Sequence, residues 1–425
     1  MIVSIDALDS EGRGVARNPE GKVVFVEGAL PGERAEVRIF QKKPKYEVGQ
    51  ALSLLDHSPG RREPGCPHFG ACGGCATQHA DERTQMAAKQ RWLEDCLERI
   101  GKVEPESVQP IVYGPEWGYR HRARLSVRHV PGRGAMVGFR ERRSTHVADM
   151  QECKVLPEET SRLIPHLRRL VEGLSIRERV PQIEVAVGDN ATALVFRHLL
   201  PFSEPDLAAL TGFSEEHQVH VWLQPSGPQS AQPFHPARSE LHYELPEFGV
   251  RIGFRPTEFT QVNFAMNRVL VSRALRLLDP QPGERIADLF CGLGNFSLPL
   301  ATRGALVVGF EGSSELVKRA QANATANGLV AQFEVVDLFK HGIAPFGPFD
   351  KLLIDPPREG AVELIKSLPA GWPRRIVYVS CDPATLARDA GILVHTQGFR
   401  LRAAGVVNMF PHTAHVESIA LFERA

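Results

Sequence analysis

The chain has 425 residues, more than the roughly 250 to 300 at which a single hydrophobic core stops growing, so two or three domains are expected. Apolar residues make up 43% and charged residues 24%, and no apolar run approaches the roughly 20 residues that span a bilayer, which excludes a membrane-embedded protein. Fifty Lys plus Arg balance fifty Asp plus Glu, so a nucleic-acid surface has to come from local clustering.

The opening MIVSIDALDSEGRG has no basic stretch leading into an apolar core, so a cytoplasmic location is expected. Residues 1–56 carry short β-type runs (IVSIDAL, KVVFVEG, ERAEVRIF, ALSLLD) punctuated by Gly and Pro, which predicts a small OB-like β-barrel. Lys42, Lys43 and Lys45, with Arg61 and Arg62, are candidates for tracking a phosphate backbone; a solvated loop explains them equally well.

Cys66, Cys72 and Cys75 follow in CPHFGACGGC, and Cys153 in MQECKVLP supplies a possible fourth thiolate. Four soft ligands suit zinc or an iron-sulfur cluster, and His68 or His79 would complete a zinc site with three of the cysteines. From Met86 to Ile100 the helical spacing of Met86, Trp92, Leu93, Cys96, Leu97 and Ile100 predicts a helix stopped by Gly101, with Cys96 in the core. Between Arg120 and Arg143 stand eight arginines and one acid, Glu141. Alternation in YRHRARLSV places Arg120, Arg122 and Arg124 on one strand face, a candidate RNA-binding surface. The stretch 203–245 has weak periodicity and is predicted to hold loops and minor strands.

From about residue 285 strands and helices alternate, ending in two consecutive β-rich segments. That order predicts a parallel α/β sheet with an antiparallel hairpin at one edge, the Rossmann-like layout of class I methyltransferases. In DLFCGLGNF, Gly292 and Gly294 sit at a strand-to-helix turn; the third glycine of a dinucleotide site is missing, and Glu311 ends the next strand, placed to bind ribose hydroxyls. Those features favour S-adenosylmethionine over NAD. Asp337 ends the third strand, with a loop-capping role as its alternative, and Asp355 opens the rigid turn DPPREG.

Cys381, in SCDP at the rim of the following strand, is a candidate nucleophile, although free cysteines are commonly core residues. Carbon 5 of a pyrimidine is too weakly nucleophilic to take a sulfonium methyl directly, and thiolate addition at carbon 6 would activate it. The carbon-5 proton must then be removed by a base. Glu417 in PHTAHVESIALF is the candidate, with His412 and His415 as alternatives; a glutamate on an edge strand commonly faces solvent.

The segments Asp288–Phe296, Asp355–Gly360, Ser380–Asp389 and Pro411–Glu417 resemble those of the RNA uracil-5-methyltransferase family, and the resemblance runs along nearly the whole chain. It implies a class I methyltransferase domain over 263–425, an N-terminal TRAM RNA-binding barrel over 1–56, and a central α+β iron-sulfur domain over 57–262. The barrel plus the cysteine cluster is similar to the members acting on 23S ribosomal RNA. By motif match, Cys66, Cys72, Cys75 and Cys153 would hold a [4Fe-4S] cluster, Cys381 would be the nucleophile and Glu417 the base, while Gln261, Phe290, Asn295, Glu311, Asp337 and Asp355 would contact S-adenosylmethionine. A monomer acting on 23S ribosomal RNA is expected. An RNA cytosine-5-methyltransferase and a redox-responsive RNA-binding module with an inactive methyltransferase fold are the competing readings.

Overall fold

The structure is a computed structural model that describes residues 1–424. Strands Ile2–Leu8, Gly14–Arg17, Val23–Glu27, Arg34–Lys42 and Tyr46–Leu54 close into a barrel, sealed by antiparallel pairing of Ile2–Leu8 with Arg34–Lys42. Their alternating pattern turns Val3, Ile5, Val24, Val26 and Val37 inward. Arg61 and Arg62 are not free to meet phosphate. Arg61 pairs with the fully buried Glu33 (2.8 Å) and Arg62 pairs with Glu116, because these two arginines staple the segment after the barrel.

The middle of the chain forms a six-stranded sheet in the order Gln232–His235, His220–Gln224, Thr192–Arg197, Gln182–Val187, Arg122–Val130, Gly134–Gly138. The arginine-rich stretch differs from its sequence reading. The strand begins at Arg122, whose guanidinium is buried and donates to Pro256 O (2.7 Å); Arg124 pairs with Glu184 (3.0 Å), and Arg142 and Arg143 both reach Glu27 of the barrel. Most of this basic cluster is therefore spent on internal ion pairs and domain docking, and the three alternating arginines do not form a free cationic face.

A second departure is the helix Glu204–His217, in a stretch expected to be loops. It starts at a capping box in which Ser203 accepts from Asp206 N while the Asp206 carboxylate accepts from Ser203 N, a signal present in the sequence as Ser-Glu-Pro-Asp. Its apolar residues do not gather into one clean stripe, so periodicity did not reveal it.

The third layer is an eight-stranded sheet in the order Gln332–Val335, Leu306–Glu311, Arg285–Leu289, Lys351–Ile354, Arg375–Ser380, Glu417–Arg424, Phe399–Val407, Ser107–Val108. The first five strands are parallel, and Glu417–Arg424 runs antiparallel to both neighbours. Near-continuous apolar runs suit strands covered on both faces. Ile286, Leu353 and Val377 pack toward helix Phe264–Leu278 on one side, whereas Ala287, Leu352 and Tyr378 pack toward helix Pro383–His395 on the other. The terminal pair forms the expected antiparallel hairpin beyond the parallel strands, with the strand of Glu417 inside the sheet and the two-residue strand Ser107–Val108 added beyond Phe399–Val407.

Helix Glu82–Cys96 continues through a wider turn, Leu97–Gly101, and buries Leu93, Cys96 and Leu97 against that same second face. The left-handed residue ending it is Lys102 (φ 53°), not Gly101; Gly101 is needed because a Cβ there would stand 2.5 Å from Ala387 O. No helix among the described residues is long and apolar enough to cross a membrane.

Candidate active site

Parallel pairing brings the C-terminal ends of Arg285–Leu289, Leu306–Glu311, Lys351–Ile354 and Arg375–Ser380 to one rim, and the order reverses between Arg285–Leu289 and Lys351–Ile354. Ligand crevices open at such switch points. A cavity of 560 Å³ lies there, lined by Gln261, Phe290, Asn295, Glu311, Asp337, Asp355, Cys381 and Glu417 together. All eight sequence candidates for cofactor contact and catalysis thus surround one space.

After Leu289 the chain turns through Gly292 (φ 54°) and Gly294 (φ 90°), left-handed positions that glycine occupies without cost, and through Phe290 (φ 65°), a non-glycine residue held in the same region by its surroundings. Glu311 braces this turn, accepting from Gly292 N (3.2 Å) with one oxygen and from Ser313 N (3.0 Å) with the other. Asn295 is locked by partners that sequence reasoning missed: Tyr243 OH donates to its Oδ1 (2.9 Å), and Asn267 exchanges two amide hydrogen bonds with it. Asn267 could have been found in QVNFAMN, where Asn263 caps the helix by accepting from Met266 N (3.1 Å). Asp337 is bound by Lys340 (2.9 Å) and sits at the outer lip, beside Phe339, which packs on Phe290.

The opposite wall carries Cys381 and Glu417. Ser380 is paired with Ser418, so Cys381 and Glu417 are the next positions beyond that pair on adjacent strands. Glu417 is 3% exposed, which removes the competing solvent-facing reading, because two strands flank its own. Burial, then the neighbouring Asp355, holds its carboxyl well above the usual carboxylate range. Burial also raises Asp355 to about 7, with Asp288 adding to the shift. The Cys381 thiol is pushed up to about 11 by burial, then by Glu417 and Asp355, with Arg358 opposing. Arg358 in turn meets His415 Nδ1 (3.3 Å) at the mouth. The turn bearing Asp355 is anchored from behind by fully buried Asp389, which accepts from Ala361 N (2.7 Å), Tyr378 OH (2.7 Å) and Arg388 Nε (2.8 Å).

A second cavity, of 430 Å³, is lined by Cys66, Cys72, Cys75 and Cys153 with Phe69, Phe139 and Met150. Among the described residues, the group of His, Cys, Asp or Glu whose ligand atoms all lie within 4.8 Å is His166, Glu216 and His217, on two helices elsewhere. The guanidinium of Arg169, 3.0 Å from His166 Nδ1, opposes a cation there. His79 and His412, both buried, have their imidazoles lowered to about 4, in each case chiefly by burial. Neither His68 nor His79 joins the cysteines in a compact ligand set.

A glycine turn at the switch point, acids at successive strand ends and a rigid Asp-Pro-Pro turn define a methyltransferase fold. Residues 81–341 and 345–425 match the family described as tRNA (uracil-5-)-methyltransferase, and residues 1–52 match the TRAM domain. The chain belongs to the tRNA (uracil-5-)-methyltransferase family. A relative from Thiobacillus denitrificans, named 23S rRNA (uracil(1939)-C(5))-methyltransferase RlmD, is 61% identical, with 100% of this chain and 99% of the relative covered. Another of that name, from Aromatoleum aromaticum, is 56% identical over 100% of this chain and 99% of its own length. Among solved structures, a Pyrococcus abyssi tRNA (uracil-54, C5)-methyltransferase in complex with S-adenosyl-L-homocysteine superposes with a TM-score of 0.78 at 26% identity, covering 99% of each chain.

Proposed function

We propose that the protein methylates carbon 5 of a uracil in 23S ribosomal RNA, using S-adenosylmethionine and a covalent bond between Cys381 and carbon 6. The observation that carries this reading is the facing placement of Cys381 and Glu417 at the wall of the cavity that the cofactor-side residues also line. The relatives named for uracil 1939 supply the choice of RNA and of nucleotide.

In this reading Gln261, Phe290, Asn295, Glu311, Asp337 and Asp355 hold the cofactor, which supplies the methyl group. The target uracil enters flipped out of its stack. The sulfur of Cys381 adds to carbon 6, placing electron density on carbon 5, where the methyl group is received. Glu417 then takes the carbon-5 proton, the carbon-5–carbon-6 double bond re-forms, and the Cys381–carbon-6 bond breaks. A carboxyl raised by burial is suited to that work, since a base of ordinary acidity would hold the proton weakly.

The chain divides into a TRAM barrel (1–56), a central domain (57–262) and the methyltransferase domain (263–425). Cys66, Cys72, Cys75 and Cys153 would hold a [4Fe-4S] cluster: the four thiols line one 430 Å³ cavity, and four thiolates are the ligand set such a cluster takes. Lys43 and Lys45, exposed on the barrel, remain available for RNA backbone contact where Arg61 and Arg122 do not. A monomer in the cytoplasm, where ribosomal RNA is made and folded in bacteria, fits this activity.

The test is mass spectrometry after incubation with S-adenosylmethionine and a 5-fluorouridine-substituted 23S fragment, in which fluorine blocks elimination. A methylated RNA adduct on Cys381 is expected; RNA methylated without any adduct would overturn the covalent mechanism.

A further inference from the structure

The segment that delivers Glu417 to the cavity is held by residues far from it in the sequence. Three consecutive carbonyls precede it, and each is taken by a donor from residues 76–119. Lys89 Nζ donates to Phe410 O (2.8 Å), Tyr119 OH to Pro411 O (2.9 Å), and the amides of Ala76 and Thr77 to His412 O (2.8 and 3.1 Å). Gln85 Oε1 accepts from His412 N (2.9 Å), and Trp117 lies on the His412 ring at 4.1 Å. Between them these contacts hold His412 at a φ of 64°, a left-handed conformation that a non-glycine residue keeps only when its surroundings impose it. Ala76 directly follows Cys75, so the cysteine loop itself forms part of this bracket.

Lys89 is the most informative member. It is 5% exposed, and its two acceptors, Asn408 Oδ1 (2.8 Å) and Phe410 O, are neutral. Burying an amine against neutral oxygens is costly, and an apolar side chain of similar length would serve packing better. Its place is explained by what it grips.

We propose that Lys89, assisted by Tyr119, is a positioning residue for Glu417, fixing the base so that the contacts on the far side of its segment set the rate of carbon-5 proton removal but not of Cys381 addition. This inference rests on the roles assigned above to Cys381 and Glu417. Lys89 does not line the 560 Å³ cavity; it acts through the Asn408–Val416 segment.

The two halves of the reaction can be read separately. Adduct formation is followed with 5-fluorouridine RNA, and proton removal by tritium release from RNA containing [5-³H]uridine under single turnover. Lys89→Met should lower tritium release about tenfold or more, a part of the factor a general base contributes, while adduct formation stays within about twofold. Uncleaved adduct should accumulate on ordinary uridine RNA. Tyr119→Phe, which removes one hydroxyl, should act in the same direction more weakly; it carries the test if Lys89→Met fails to fold. Equal loss in both halves, or tritium release at the wild-type rate, would overturn the proposal. Glu417→Gln is the control: if it does not accumulate adduct, the assignment of the base fails, whereas adduct with Glu417→Gln but not with the Lys89 and Tyr119 variants removes only the bracket.

Discussion

Cys381 and Glu417 extend the antiparallel register set by Ser380 and Ser418, and the carboxylate is among the groups that keep the thiol protonated. Replacing Glu417 by Gln removes the negative charge that this carboxyl acquires on ionising at alkaline pH. The variant should accumulate covalent RNA adduct and release product at least about a hundredfold more slowly, the low end of general-base effects. Its free thiol should also react faster with iodoacetamide than the wild-type thiol at the same alkaline pH, because the thiolate is less opposed. An unchanged alkylation profile would show that the two side chains do not feel each other.

A thiol held at about 11 in the free enzyme needs positive charge to ionise near neutrality. The sulfonium of S-adenosylmethionine would bring such a charge into a cavity walled by Asp355 and Glu417, whereas S-adenosylhomocysteine fills similar space without it. Alkylation of Cys381 should therefore be faster with adenosylmethionine bound than with adenosylhomocysteine bound. Equal rates would mean that thiol activation comes from the RNA or from Arg358.

Tyr243 tests the cofactor side. Tyr243→Phe removes the donor to Asn295 Oδ1, which still has Asn267 as a partner. One neutral hydrogen bond contributes about 1 kcal/mol, so Kd for adenosylhomocysteine should rise roughly five- to tenfold by calorimetry. Unaltered affinity would show that Asn295 needs no such bracing.

Asp288 and Asp355 are both raised to about 7 from an ordinary 3.8. Between those values the folded protein binds protons that the unfolded chain has released. Their favourable contribution is complete below about pH 4 and is lost as pH climbs to 7. Asp355→Asn cannot titrate, so wild type should lose stability relative to this variant as pH rises from about 4.5 to 7.5 in urea titrations. A stability difference that is flat with pH would contradict the burial of Asp355.

Cys153 is buried and far in sequence from the other three cysteines, yet it shares their cavity. Cys153→Ser should reduce bound iron and visible absorbance and lower the melting temperature, because metal binding contributes to folding free energy. Full iron content in that variant would remove Cys153 from the ligand set.

Much of the site was legible because parallel strands end in short, chemically distinctive turns. DLFCGLGNF, DPPREG and SCDP each announce a strand end, and one sheet brings strand ends to one rim. The partners of those residues were harder to read. Tyr243 and Asn267 reach Asn295 from outside the strand–helix alternation, and Lys89 and Tyr119 reach the Glu417 segment across roughly 300 residues, separations that leave no local period. The arginine cluster misled for a related reason: spacing shows which residues share a face, but Glu27, Glu184 and Pro256, which occupy these guanidinium groups, lie elsewhere in the chain.

The strand bearing Glu417 is inserted between Arg375–Ser380 and Phe399–Val407, both of which precede it. A chain emerging from the ribosome therefore leaves two sheet edges open until the closing strand slides between them. Completion of the sheet is thus also the step that gives the cavity its Glu417 wall.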